Sequence, residues 1–153
     1  MILSGNGFEV LAAGLLSASL AQLTKVALHL MARKPFNFRL LVETGGMPST
    51  HTASMTGLST ATGLVTGFDS VDYAIALGVT LIVMYDAAGV RRAAGRMAGI
   101  LNQMTRELYE HHPDKVPERL RELLGHTPIE VFGGALVGAS IALGLHYWVF
   151  IPH

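Results

Sequence analysis

The stretch MPSTHTASMTGLSTATGLVTGF, residues 47–68, sets a proline, two hydroxyl residues and a histidine directly ahead of an apolar run dense in small side chains. Pro48 followed by Ser49 and Thr50 is good N-cap chemistry and predicts a helix with His51 in its first turn. Ala53, Gly57 and Ala61 then recur every fourth residue, which puts them on one helix face and lets a neighbouring backbone approach closely. The abundance of Thr, Ser and Gly predicts that this helix is shielded by protein rather than by lipid.

Outward from it lie three more apolar runs, at residues 8–31, 71–88 and about 129–150. A membrane-spanning helix needs about 20 largely apolar residues, within a range of about 17 to 25. The first and last runs meet that length comfortably; residues 52–68 and 71–88 are short. Half of the 153 residues are apolar and only 14% are charged, well outside soluble proportions. The expected fold is therefore an all-α integral membrane bundle of about four transmembrane helices, forming one domain over residues 1–153. At the N-terminus, LLSASLAQ resembles a signal-peptide cleavage site. The preceding residues carry no Lys or Arg and the apolar pattern continues past Gln22, so a spanning helix is the expected reading. With no cysteine, disulfides and thiolate metal sites are excluded. The balanced net charge gives no global basic field and argues against nucleic acid as a partner. Oligomerisation is left open.

Between the third and fourth runs the chain is amphipathic. Val90, Ala94, Met97, Leu101, Met104 and Leu108 recur at spacings of three and four, interleaved with Arg91, Arg92, Arg96, Gln103, Arg106 and Glu107. This predicts an interfacial or continuing helix, broken at Pro113 and Pro117, with a short second helix in ERLRELLG that Gly125 stops. Threading the chain through four spans places all 11 Lys and Arg residues on one side of the membrane, with only Glu9, Asp69 and Asp72 on the other. The positive-inside rule then puts the cationic side in the cytoplasm and both termini outside.

The cationic side also carries a second helix start. In GHTPIEVFGGALVG, residues 125–138, Thr127 is the expected cap, Pro128 takes the first helical position, and His126 stands just before them. Gly134, Gly138 and Ala142 repeat the small-residue spacing of the first stretch, and packing the two rows together would bring His51 and His126 towards one pocket. Helix N-termini present free amides and the positive dipole end, which attract phosphate. Glu130 follows His126 by four residues, close enough on a helix to bond one ring nitrogen and leave the other free to attack. Lys25 lies in the last third of the first span, where a charge must face protein, a wet cavity or the interface. Asp86 ends the third span and is placed to orient Arg91 or Arg92, whose guanidinium suits a tetrahedral phosphoryl group.

MPSTH, DAAGVRR and LGHTPIEV, occurring in that order, resemble the divergent branch of the type 2 phosphatidic acid phosphatase superfamily, which is related to the vanadium haloperoxidases. The resemblance covers nearly the whole chain. It implies that His126 attacks phosphorus to form a phosphohistidine, that Glu130 orients it, that His51 protonates the leaving oxygen, and that Lys25 binds phosphate; Ser49, Thr50, Arg91 and Arg92, with Asp86 orienting, are the further candidate phosphate-binding residues read from the sequence itself. No metal or other cofactor is implied. The cation pattern departs from the superfamily's, because position 32 is Ala with Arg33 one residue late, and position 120 is Leu between Arg119 and Arg121. Either the register is shifted or Arg91 and Arg92 take over the clamp.

The expected activity is hydrolysis of a lipid phosphate monoester such as phosphatidylglycerol phosphate, phosphatidate or a prenyl phosphate, with the bilayer and that lipid as partners. The alternative is a weak or inactive membrane protein that binds or transports a phosphorylated lipid. Haloperoxidase activity is a remote third. His111 and His112, beside Pro113, are expected in a solvated loop; Asn102, Gln103 and Glu107 either line the pocket or lie on the polar helix face, and the polar face is the expected place.

Overall fold

Ser49, Ser70 and Thr127 each begin a helix by accepting a hydrogen bond from a backbone amide three residues on, at Thr52, Tyr73 and Glu130. The computed structural model describes residues 7–33, 46–109 and 125–151, apart from the side chains of Arg91 and Arg92. Among them every regular element is helical: α1 Gly7–Met31, α2 Thr50–Thr66, α3 Val71–Ala88, α4 Val90–Leu108 and α5 Pro128–Leu145, the last running into a π-helical turn at His146–Phe150. The expected short helix at 118–125 lies outside the described residues except for Gly125, as do His111 and His112.

Among the described residues, three stretches are long and apolar enough to cross a membrane: Gly7–Met31, Val71–Leu108 and Pro128–Phe150. The remaining expected span, residues 52–68, corresponds to α2, which at 17 residues is the shortest of the five α-helices and stands at the lower edge of the spanning range. Its position accounts for its composition, because α2 packs on α1, α3 and α5 together. Most of the buried apolar side chains are small, with Ala13, Ala21, Ala53, Ala61 and Ala142 at 1% exposure or less and Val131 and Phe150 the larger exceptions. Large ones such as Leu15, Leu23, Ile75, Ile82 and Phe132 face outward. In water that would be inside-out; in lipid, small residues at helix crossings and large ones towards acyl chains are the expected distribution.

The α2–α5 crossing is as close as the two small-residue rows foretell. A Cβ on Gly134 would come within 2.5 Å of the Ser49 carbonyl oxygen, and one on Gly138 would overlap the carbonyl oxygen of Ala53. Only hydrogen at these two positions allows the backbones to touch. α2 stops at Gly67, whose φ of +94° turns the chain while its amide still bonds the Gly63 carbonyl.

At the opposite end of the bundle from the two helix starts, α1 and α5 are joined by a polar pair. Glu9 is fully buried, and its Oε1 lies 2.5 Å from His146 Nδ1. α4 follows α3 after Gly89 alone and is the amphipathic helix expected there, with Val90, Met97, Leu101, Met104 and Leu108 all exposed.

Candidate active site

Backbone hydrogen bonds knit three helix ends together. The Ser49 amide, at the cap of α2, donates to the Glu130 carbonyl in the first turn of α5 at 3.0 Å. The His126 amide donates to the Ala87 carbonyl in the last turn of α3 at 3.1 Å. His51 and His126 therefore stand at the same end of the bundle, each beside a helix N-terminus. They differ in setting: the His126 side chain is 6% exposed, while His51 is open to the outside.

Glu130 holds His126 and caps α5 at once. Its Oε2 lies 3.2 Å from His126 Nδ1 and accepts the Thr127 amide at 2.9 Å, while the Thr127 hydroxyl accepts the Glu130 amide at 3.3 Å. This is a reciprocal capping box, which fixes the carboxylate against the helix end. A carboxylate can only accept, so the proton of a neutral imidazole sits on Nδ1 and Nε2 keeps its lone pair.

Lys25 reaches the same end from α1. It is 8% exposed and therefore turned inward rather than along the lipid. Its ammonium donates to Thr50 Oγ1 at 3.4 Å, and that hydroxyl donates onward to Gln22 Oε1 at 2.9 Å. The lysine stem passes Gly46, where a Cβ would lie 3.8 Å from Cγ and Cδ, and a φ of +78° favours glycine at that point. Ser49 sits deeper, fully buried, with its hydroxyl accepting from the Thr52 hydroxyl at 3.0 Å and its amide committed to Glu130. Of the two hydroxyl residues named from the sequence, Thr50 is the one that is only half-buried.

Asp86 is half-buried in the last turn of α3, beside the carbonyl that holds His126. Arg91 and Arg92 fall in the first turn of α4, with side chains outside the described set. Sequence reasoning missed three supports of the site: Gln22 and the carbonyls of Ala87 and Glu130. Gln22 had a signal, since it precedes Lys25 by three residues on one face. The carbonyls had none, because backbone contacts between distant segments leave no mark on composition. Among the described residues no group of three or more His, Cys, Asp or Glu side chains is arranged to hold a metal ion.

These features define a helical membrane protein with two histidines, an inward lysine and an orienting carboxylate gathered at one end of the bundle. Residues 7–141 match the Divergent PAP2 family, and the chain belongs to that family. It is 37% identical over 138 residues to "Uncharacterized membrane protein YuiD" of Bacillus subtilis (strain 168), with 84% of this chain and 87% of that protein covered. No solved structure matches it.

Proposed function

We propose that this chain is a metal-independent phosphatase of lipid phosphate monoesters that works through a phosphohistidine at His126. The observation that carries the reading is the His126–Glu130 hydrogen bond at a helix N-terminus tied directly to the start of α2. In the first step, the Nε2 lone pair of His126 attacks phosphorus. An N–P bond forms, the P–O bond to the lipid alcohol breaks, and His51 gives its proton to the departing oxygen. In the second step, His51 takes a proton from water as the water oxygen attacks phosphorus. The N–P bond breaks, releasing inorganic phosphate, and both histidines return to their starting states. Lys25, Thr50, the positive dipole ends of α2 and α5, and Arg91 or Arg92 oriented by Asp86 neutralise the phosphoryl oxygens. Ser49 acts beneath them by holding the start of α2 to α5.

In this reading α2 completes a four-helix transmembrane unit and α4 lies along the interface, its apolar stripe in lipid and its arginines towards headgroups. The cationic end faces the cytoplasm. A lipid phosphate such as phosphatidate, phosphatidylglycerol phosphate or a prenyl phosphate lies in the headgroup layer beside that end.

The test is phosphate release from a panel of lipid phosphates by detergent-purified protein with chelator present. Release inhibited by vanadate and lowered at least about 10³-fold in His126→Ala supports the reading. Release that persists in that variant refutes His126 as the nucleophile. Tight binding of a lipid phosphate with no release would make the protein a binder or carrier instead.

A further inference from the structure

A groove of about 300 Å³ runs between α2 and α3, lined by Met55, Leu58, Thr62, Ile75, Ala76 and Val79. Its α2 residues follow His51 at four, seven and eleven positions, so all of them share the helix stripe that the imidazole heads. From His51 to Thr62 the stripe extends about 16 Å at 1.5 Å per residue, roughly half of a hydrocarbon core of about 30 Å. Ile75 and Val79 on its rim are 62% and 45% exposed, so it opens sideways along α3, one of the helices long and apolar enough to span a membrane. Thr80 fixes its width by donating from α3 to the Met55 carbonyl of α2 at 3.0 Å.

We infer that this groove is a slot for one hydrocarbon chain of the substrate, entered sideways from the bilayer, with the phosphate end of that chain directed to His51. The inference rests on the phosphatase reading for the identity of the headgroup and on the groove itself for the chain. The occupant follows from position. Along a spanning helix the surrounding medium is hydrocarbon, and the groove wall is apolar except at Thr62 and at Asp72, which lies on the lining near its far end. A volume of about 300 Å³ is at the lower limit of ligand pockets and suits one chain rather than two. The substrate class is thus a phosphomonoester carrying at least one long chain, with any second chain left in the bilayer.

Two readouts test it. The first is kcat/KM for monoalkyl phosphates of increasing chain length at fixed detergent. The slot predicts a rise of at least about 10-fold from short to long chains as methylenes are buried, and a long-to-short ratio that collapses towards one in Val79→Trp. Ala76→Leu serves as a second filling variant should the first fail to fold. A defect in folding or chemistry lowers both rates together and preserves the ratio, so a ratio that survives both fillings overturns the slot. The second readout does not need turnover: photolysis of a long-chain alkylphosphonate bearing a diazirine in its chain, with adducts mapped by mass spectrometry. Adducts on residues 55–62 and 75–79 support the slot, even if no substrate is hydrolysed and the phosphatase reading fails. Adducts confined to other helices, or crosslinks between two copies through Ile75 or Val79, overturn it.

Discussion

At His126 one imidazole is constrained twice, by its own amide bonded to the Ala87 carbonyl and by its ring bonded to Glu130. The first fixes where the ring stands and the second which nitrogen faces outward. Replacing the carboxylate separates these effects. Glu130→Gln keeps an acceptor for the Thr127 amide, and Gln is tolerated at this position of a capping box, so the helix start should persist. The amide can instead donate to Nδ1, favouring the wrong tautomer, and turnover should fall about 10²- to 10⁴-fold with thermal stability nearly unchanged. Comparable losses of stability and activity would show Glu130 to be a cap alone. Lys25→Met retains the apolar stem and removes the charge; vanadate affinity should drop at least about 10-fold, and an unchanged affinity would remove Lys25 from the phosphate cradle.

Among the elements, the α2–α5 crossing sets the separation of the two histidines. Because Gly134 and Gly138 meet backbone atoms of α2, Gly138→Ala should push the helices apart and cost about 1–3 kcal/mol by overpacking. Activity should fall further than stability, since the helix starts separate as well. Thermal unfolding in detergent and turnover on the same samples check both, and a fully active, equally stable Gly138→Ala protein would contradict the packing account. The pair of Glu9 with His146 closes the opposite end, and His146→Ala withdraws the ring partner of a fully buried carboxyl. The expected cost is about 1–3 kcal/mol, seen as a lower unfolding temperature, with turnover per folded molecule retained.

Much of this crossing was legible in the sequence, because small residues every fourth position mark a face and Ser or Thr before a run marks a start. The α3 bounds agree with the apolar run, and α1 begins one residue earlier than its run. α2 begins and ends two residues before its run, because the Ser49 cap claims Thr50 and His51 and Gly67 closes the last turn. The π turn at His146–Phe150 left no periodic signature, and the Glu9–His146 pair joins residues 137 apart in sequence. Such pairings depend on how helices stack, which local pattern does not encode.

For the whole molecule, the separation of charge predicts orientation. The chain contains no cysteine, so a single introduced thiol reports one position without background. Asp69→Cys should react with a membrane-impermeant maleimide in intact cells, and Arg33→Cys only after permeabilisation. The reverse pattern would place the candidate site on the outer face and exchange its substrate pool for the outer leaflet.

The central claim is a covalent phosphate on His126, and rapid-quench phosphopeptide mapping tests it most directly. Wild-type protein mixed with a hydrolysable long-chain phosphate, without metal and quenched in base, should yield an acid-labile phosphate on the peptide containing residue 126. Phosphate release with no such adduct at any quench time, or an adduct that forms on another residue, would contradict the account.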